Sequence, residues 1–139
     1  NILNIFNYKI IEKDNPYSFI FTDAIENNYN KILLLENYIS FHPDSINMIK
    51  NIDFPYYNLL YLGLYPFKSL EKRNMIDKII SKANNYTLID EPFALMINKK
   101  MFSLFLSCNN LQWIQHLNYI NNNTNDCLIY KTDILKKNL

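Results

Sequence analysis

Apolar residues follow two rhythms along this chain, one of strands and one of helices. Residues Asn4 to Ile11 carry Ile5, Phe6, Tyr8, Ile10 and Ile11 and read as a strand. Pro16-Tyr17-Ser18 then opens a helix, with proline at or near its first position. Ile20, Phe21, Ala24 and Ile25 follow at the spacing of one helical face, and Asn27 to Asn30 closes the element. Lys31-Ile32-Leu33-Leu34-Leu35-Glu36 comes next. A continuous apolar run without alternation fits a strand covered on both faces, as in a parallel sheet. Helix, turn and buried strand make half of a βαβ unit.

His42-Pro43-Asp44-Ser45 starts a short helix through Met48, Ile49 and Ile52. Tyr57-Asn58-Leu59-Leu60-Tyr61-Leu62-Gly63 is a second apolar strand, stopped by the only glycine. Ser69 to Ala83 has the strongest helical pattern: Ser69 is a good cap, Glu71 lies early, and Leu70, Met75, Ile76, Ile79 and Ile80 define a face. Tyr86 to Ile89 and Phe93 to Ile97 read as short strands, Lys99 to Ser107 and Leu111 to Tyr119 as helices. Asn121 to Asn125 reads as a turn and Cys127 to Tyr130 as a final strand. Interleaved helices and strands give an α/β domain of two or three layers with a largely parallel central sheet. With no repeat and no linker, one domain spans residues 1–139.

Composition narrows the function. A chain of 139 residues buries a real core without disulfide or metal staples. Its 49% hydrophobic and 15% aromatic content excludes an intrinsically disordered chain. Lys+Arg of 14 against Asp+Glu of 13 leaves a net charge of +1, so no global field draws it to nucleic acid or anionic lipid. The apolar runs fall far short of the ~20 residues of a membrane-spanning helix. Asn1 to Asn7 lacks the basic region and cleavage site of a signal peptide. The chain does not begin with Met, as expected of one processed or cut from something longer. Asn and Ile abound and Lys outnumbers Arg by 13 to 1, the bias of an AT-rich genome such as that of a parasite, a low-GC bacterium or a large DNA virus. On that reading many Asn are neutral surface filler. One glycine, Gly63, excludes Gly-rich phosphate loops.

Cys108 and Cys127 lie 19 apart, and the histidines are His42 and His116. A zinc site would have to draw on separate segments, and none has ligand spacing. The cysteines read as reduced, partly buried thiols, with a Cys108–Cys127 disulfide as the alternative. A lone pair without secretion signals suits a reducing compartment, cytoplasmic or virus-associated. The sequons at Asn85 and Asn122 are expected by chance in so Asn-rich a chain.

Ala24, then Asn28-Tyr29-Asn30-Lys31-Ile32-Leu33-Leu34-Leu35-Glu36, then Ile39-Ser40-Phe41-His42-Pro43, resembles the core of the family 25 glycosyltransferases. These are sugar transferases of the lipopolysaccharide and collagen types, with homologues in giant viruses. In that family a helix and turn feed an apolar strand ending in Glu-Asp-Asp. A second strand ends Tyr-Leu-Gly, and a third, of the type Phe-Ala-Tyr-Ile-Ile, precedes a basic residue and a helix. Leu60-Tyr61-Leu62-Gly63 and Phe93-Ala94-Leu95-Met96-Ile97-Asn98-Lys99 stand at those places, so the resemblance covers roughly Ser18 to Phe105. It implies a GT-A-like, Rossmann-like domain without a match for the family's first strand, hence truncated or diverged at the N-terminus. It also implies hexose transfer from a nucleotide sugar to a protein or glycan hydroxyl, with Mn²⁺ or Mg²⁺ if active.

In the family the Glu-Asp-Asp cluster serves the divalent metal and the diphosphate, because a hard cation needs anionic oxygens and neutralises the leaving group. Carried over to this chain, Glu36 keeps its acid, while Asn37 and Tyr38 occupy the two Asp positions. Asn offers one neutral carbonyl oxygen, and a phenol with pKa about 10 is not a usual ligand for such ions. Asp44, Asp90 and Glu91 are the candidate compensating acids. Asp90-Glu91-Pro92 replaces a family glycine, and its acids read otherwise as loop residues before a proline. Leu111-Gln112-Trp113 falls where the family often has Pro-Ile-Asp, so an amide again replaces an acid. No metal cofactor is therefore expected in this chain.

Two functions compete. One is an active transferase with Glu36 near the metal; the other is a non-catalytic binding or structural module that keeps the fold, beside an active domain in a larger assembly. The acid count at the strand end favours the second for present activity. A nucleotide-binding α/β domain of another kind is disfavoured by the missing Gly-rich loop. The remaining candidates have plain readings. Glu36 doubles as the polar end of a strand. Trp113, at helical spacing from Leu117, fits a core better than a stacking platform. His42 before Pro-Asp fits a turn better than a general base. Tyr56, Tyr57, Tyr61 and Tyr65 fit an aromatic core and strand rim, and Lys99-Lys100 and Lys136-Lys137 are solvated pairs.

Overall fold

The computed structural model describes residues 8–37, 39–41, 47, 56–65, 80–82, 91–123, 127–130 and 135–137. Helix α1 (Tyr17–Glu26) starts where Pro16 accepts its first bond, from the Ile20 N–H at 2.9 Å, so the proline precedes the helix as its cap. It ends because Asn28 takes a left-handed conformation at φ 55°, a state Asn tolerates better than branched residues. The Tyr29 N–H then closes onto the Ala24 carbonyl at 3.0 Å.

The strands are β1 (Lys31–Leu35), β2 (Ile39–Phe41), β3 (Leu59–Tyr65), β4 (Ile80–Lys82), β5 (Glu91–Asn98), β6 (Cys127–Tyr130) and β7 (Leu135–Lys137). The 3-10 helix Lys99–Phe105 and helix α2 (Asn110–Asn123) separate β5 from β6. The main sheet has the order β1-β5-β3-β6-β4, and β2 pairs with β7 in a separate antiparallel ribbon.

This is an α/β arrangement, but its sheet corrects the largely parallel one expected from the apolar runs. β5 is antiparallel to both β1 and β3, β4 is antiparallel to β6, and β3–β6 is the parallel pair. Thus β1, β3 and β6 run one way and β5 and β4 the other. β1 and β3 share a sheet and a direction but are not neighbours, because β5 lies between them. An apolar run reports burial on both faces, not the direction of its partner. Leu59 to Leu62 and Phe93 to Ile97 are all buried, as central strands require, whereas β1 lies at the sheet edge and is only half-buried.

Other boundaries move for physical reasons. Gly63 sits inside β3, at an irregular step in its register with β5, rather than ending the strand. Glu91 and Pro92 belong to β5 and not to a loop; Pro92 lies opposite Leu64, beyond the last β1 partner, Ala94. Ile80 to Lys82, expected as the end of a helix, instead pair with Leu128 to Tyr130. The Asn121–Asn125 turn begins later than expected, since α2 continues to Asn123 with Asn121 buried. Tyr8 to Ile11, the described part of the expected strand Asn4–Ile11, are not in a strand, while the expected elements at 42–52 apart from Asn47, at 86–89 and over most of 69–83 lie outside the described residues.

The core joins α1, the 3-10 helix and α2 to one face of the sheet. Phe21 and Ala24 of α1 meet Leu59, Tyr61, Leu95 and Ile97 from the strands and Phe102, Phe105, Trp113 and Leu117 from the later helices. Tyr17 stacks on Trp113 with centroids 4.5 Å apart, and Phe105 meets the same indole edge-on at 4.8 Å. Each such pair adds about 0.5–1.5 kcal/mol beyond area burial. Several asparagine positions are structural. Asn28 ends α1, Asn98 caps the 3-10 helix by accepting from the Lys100 N–H at 3.0 Å, and the Asn58 carbonyl accepts from the Asn98 N–H at 2.9 Å.

Candidate functional site

β1, β3 and β6 end at one edge of the sheet, where β5 begins: Leu35 lies opposite Ala94, and Tyr65 opposite Glu91. Ligands of open α/β sheets bind outside such carboxyl ends. Glu36 follows β1 directly. Its N–H still donates to the Phe93 carbonyl at 3.0 Å, so the ladder fixes its backbone while its side chain is exposed. Asn37 follows in an exposed bend. Glu91, the first residue of β5, starts its strand at the same edge. Tyr38, Asp44 and Asp90 lie outside the described residues, as does His42.

Among the described residues, the acids at this edge are Glu36 and Glu91. Mn²⁺ and Mg²⁺ are held by several oxygens, usually with more than one carboxylate. At the end of β1 stand one carboxylate, Glu36, and one neutral amide, Asn37. Among the described residues, no three His, Cys, Asp or Glu side chains come together as a metal site.

A second polar group lies at the start of the helices. The Cys108 Sγ and His116 Nδ1 are 2.7 Å apart. Cys108 is buried, which pushes its thiol up, while His116 is half-buried with its ring edge-on to Phe105. Burial pushes the Tyr17 hydroxyl up to about 12, reinforced by the negative field of Glu36 and by Cys108. Tyr17, at the start of α1, therefore lies in the field of both Glu36 and Cys108. Spacing could not reveal the Cys108–His116 pair, since residues eight apart that leave one helix and enter another have no fixed relation. Neither cysteine is in a disulfide, and both are buried.

Two further candidates are accounted for by the fold. Trp113 is 3% exposed and belongs to the core. Gln112 caps its helix: its Oε1 accepts from the Asn109 N–H at 3.0 Å, while the Gln112 N–H donates to Asn109 Oδ1 at 2.8 Å. This reciprocal capping box accounts for the amide without any inherited acid. Of the tyrosines, Tyr61 is buried, Tyr57 half-buried and Tyr56 exposed with Lys100 Nζ 5.0 Å above its ring. Among the described residues, no helix is long and apolar enough to cross a membrane. In comparisons with known proteins, no family model and no curated protein matches this chain.

Proposed function

We propose that this chain is a non-catalytic binding or structural module descended from family 25 glycosyltransferases, with a GT-A-like sheet whose nucleotide-sugar edge has lost its metal-holding acids. The observation that carries the reading is the end of β1, where the single carboxylate of Glu36 is followed by the neutral Asn37. Placement supports it further. The three segments that carry the resemblance lie on β1, β5 and β3, three consecutive strands of one sheet. In this reading β1, β3 and β6 are the codirectional strands of the ancestral domain, and β5 is a reversed strand between two of them.

Sugar transfer from a nucleotide diphosphate requires the charge on the departing diphosphate to be neutralised. In this reading Glu36 and Asn37, with Glu91 starting β5 at the same edge, do not gather the cation that would do so. The edge is left as a contact surface, for a nucleotide sugar or glycan held without a metal, or for a neighbouring domain of a larger assembly. Calorimetric titration with UDP-hexoses, with and without Mn²⁺, tests this. The expected result is the absence of Mn²⁺-dependent binding in the micromolar range. Micromolar, Mn²⁺-dependent binding accompanied by hexose release or transfer would contradict it and turn attention to Asp44, Asp90 and Glu91 as ligands.

A further inference from the structure

The main sheet has two lateral edges, β1 and β4, and they offer different things to a further strand. β4 is three residues long, Ile80-Ser81-Lys82, and ends in a lysine. Short strands and lysines are devices that blunt a sheet edge. β1 is five residues long, and after Lys31 it runs Ile32-Leu33-Leu34-Leu35, with no charge, proline or glycine.

The hydrogen bonds show which main-chain groups β1 leaves over. The Lys99 N–H donates to the Asn30 carbonyl at 3.0 Å, and the Glu36 N–H to the Phe93 carbonyl at 3.0 Å. Antiparallel pairs alternate between bonded and non-bonded positions. In this register Ile32 and Leu34 therefore exchange bonds with Ile97 and Leu95. The N–H and C=O groups of Lys31, Leu33 and Leu35 point away from β5, and among the described residues no main-chain group pairs with them there. A row of unmet donors and acceptors along an aliphatic strand is a template for strand addition. It runs along the side of the sheet, not across the strand ends, and does not depend on any descent from a sugar transferase.

Charge identifies the occupant. Lys31 opens the strand and Glu36 follows it, and both are exposed. Lys99 and Lys100, also exposed, follow β5 at the Lys31 end, and Glu91 starts β5 at the Glu36 end. Turned end for end, this edge is complementary to itself. We propose that β1 pairs antiparallel with β1 of a second copy of this chain, joining two five-stranded sheets into one. Leu33 lies opposite Leu33 of the second copy and Lys31 opposite its Leu35, each pair exchanging two main-chain bonds. Lys31 then stands one position from Glu36 of the second copy at both ends of the pairing. Parallel pairing would bring lysine to lysine and glutamate to glutamate. The contact is isologous, so it closes at two chains.

Sedimentation equilibrium tests this. At about 100 μM the chain should sediment at about twice its 16.7 kDa, and dilution should bring the mass back toward that value. Leu33→Pro removes the central outward N–H without removing a bond to β5, and should be monomeric at the same concentration with an unchanged circular dichroism spectrum. Lys31→Glu and Glu36→Lys should each weaken the dimer about threefold or more, and the double exchange should restore it. A parent chain that is monomeric at that concentration overturns the proposal and leaves β1 to a strand of a different protein. An undiminished dimer in folded Leu33→Pro also overturns it. If Leu33→Pro loses its fold, the charge exchange decides. Weakening in both single variants with recovery in the double supports the pairing, and any other pattern overturns it.

Discussion

The aromatic layer and the carboxyl edge of the sheet meet at the start of α1, yet they are built in opposite ways. In the aromatic layer, Phe21, Phe105 and Trp113 are each buried and in mutual ring contact at 4.8 to 6.0 Å. At the edge, Glu36 and Asn37 are exposed, and the last ladder bond holds only backbone. The contrast shows where stability resides. The fold depends on the helical layer and the central strands, so the side chains at the end of β1 can change without loss of the fold. That is the physical condition under which acids at such an edge can be exchanged while the domain persists.

The largest expected effect breaks this contrast from the core side. Trp113→Ala should lose about 3–5 kcal/mol, whereas Glu36→Gln should stay within about 0.5 kcal/mol of the parent. Urea unfolding followed by far-ultraviolet circular dichroism measures both. Equal losses at the two sites would mean that the edge is part of the core's support. A smaller effect is expected at the α2 capping box. Asn109→Ala removes the acceptor for the Gln112 N–H and should cost about 1 kcal/mol in the same assay.

Much of the inner structure was legible in the sequence. The apolar runs around Leu59–Leu62 and Phe93–Ile97 marked the central strands, and the Trp113–Leu117 spacing marked a buried helix face. The order of strands was not legible. A run buried on both faces looks the same beside a parallel or an antiparallel neighbour, so the place of β5 between β1 and β3 left no local trace. The capping box was written in the sequence as Asn109 followed three residues later by Gln112, but the family pattern drew the reading toward a lost acid. Glu36 was placed correctly at a strand end because a charge after four aliphatic residues marks where the buried run stops. The Cys108–His116 pair depends on tertiary packing and could not be read from spacing.

A subtler effect sharpens the link between the two regions. Tyr17 belongs to the aromatic layer, yet its hydroxyl is raised to about 12 by burial first and then by Glu36 and Cys108. A group whose folded pKa lies above its unfolded value stabilises below the unfolded pKa and loses that contribution as pH rises through the folded one. Stability should therefore fall between pH 10, the ordinary tyrosine value, and about 12. Tyr17→Phe should flatten that part of the profile in urea titrations at stepped pH. An unchanged slope would separate Tyr17 from the alkaline loss.

The most direct test of the central claim is Mn²⁺ binding at the end of β1, read from the amplitude of the free-ion signal in electron paramagnetic resonance. The parent chain should leave the signal of equimolar Mn²⁺ undiminished. The double variant Asn37→Asp with Tyr38→Asp, which places three acids in a row at the strand end, should deplete it, and UDP should deepen the depletion. Depletion by the parent chain to the same extent would contradict the account.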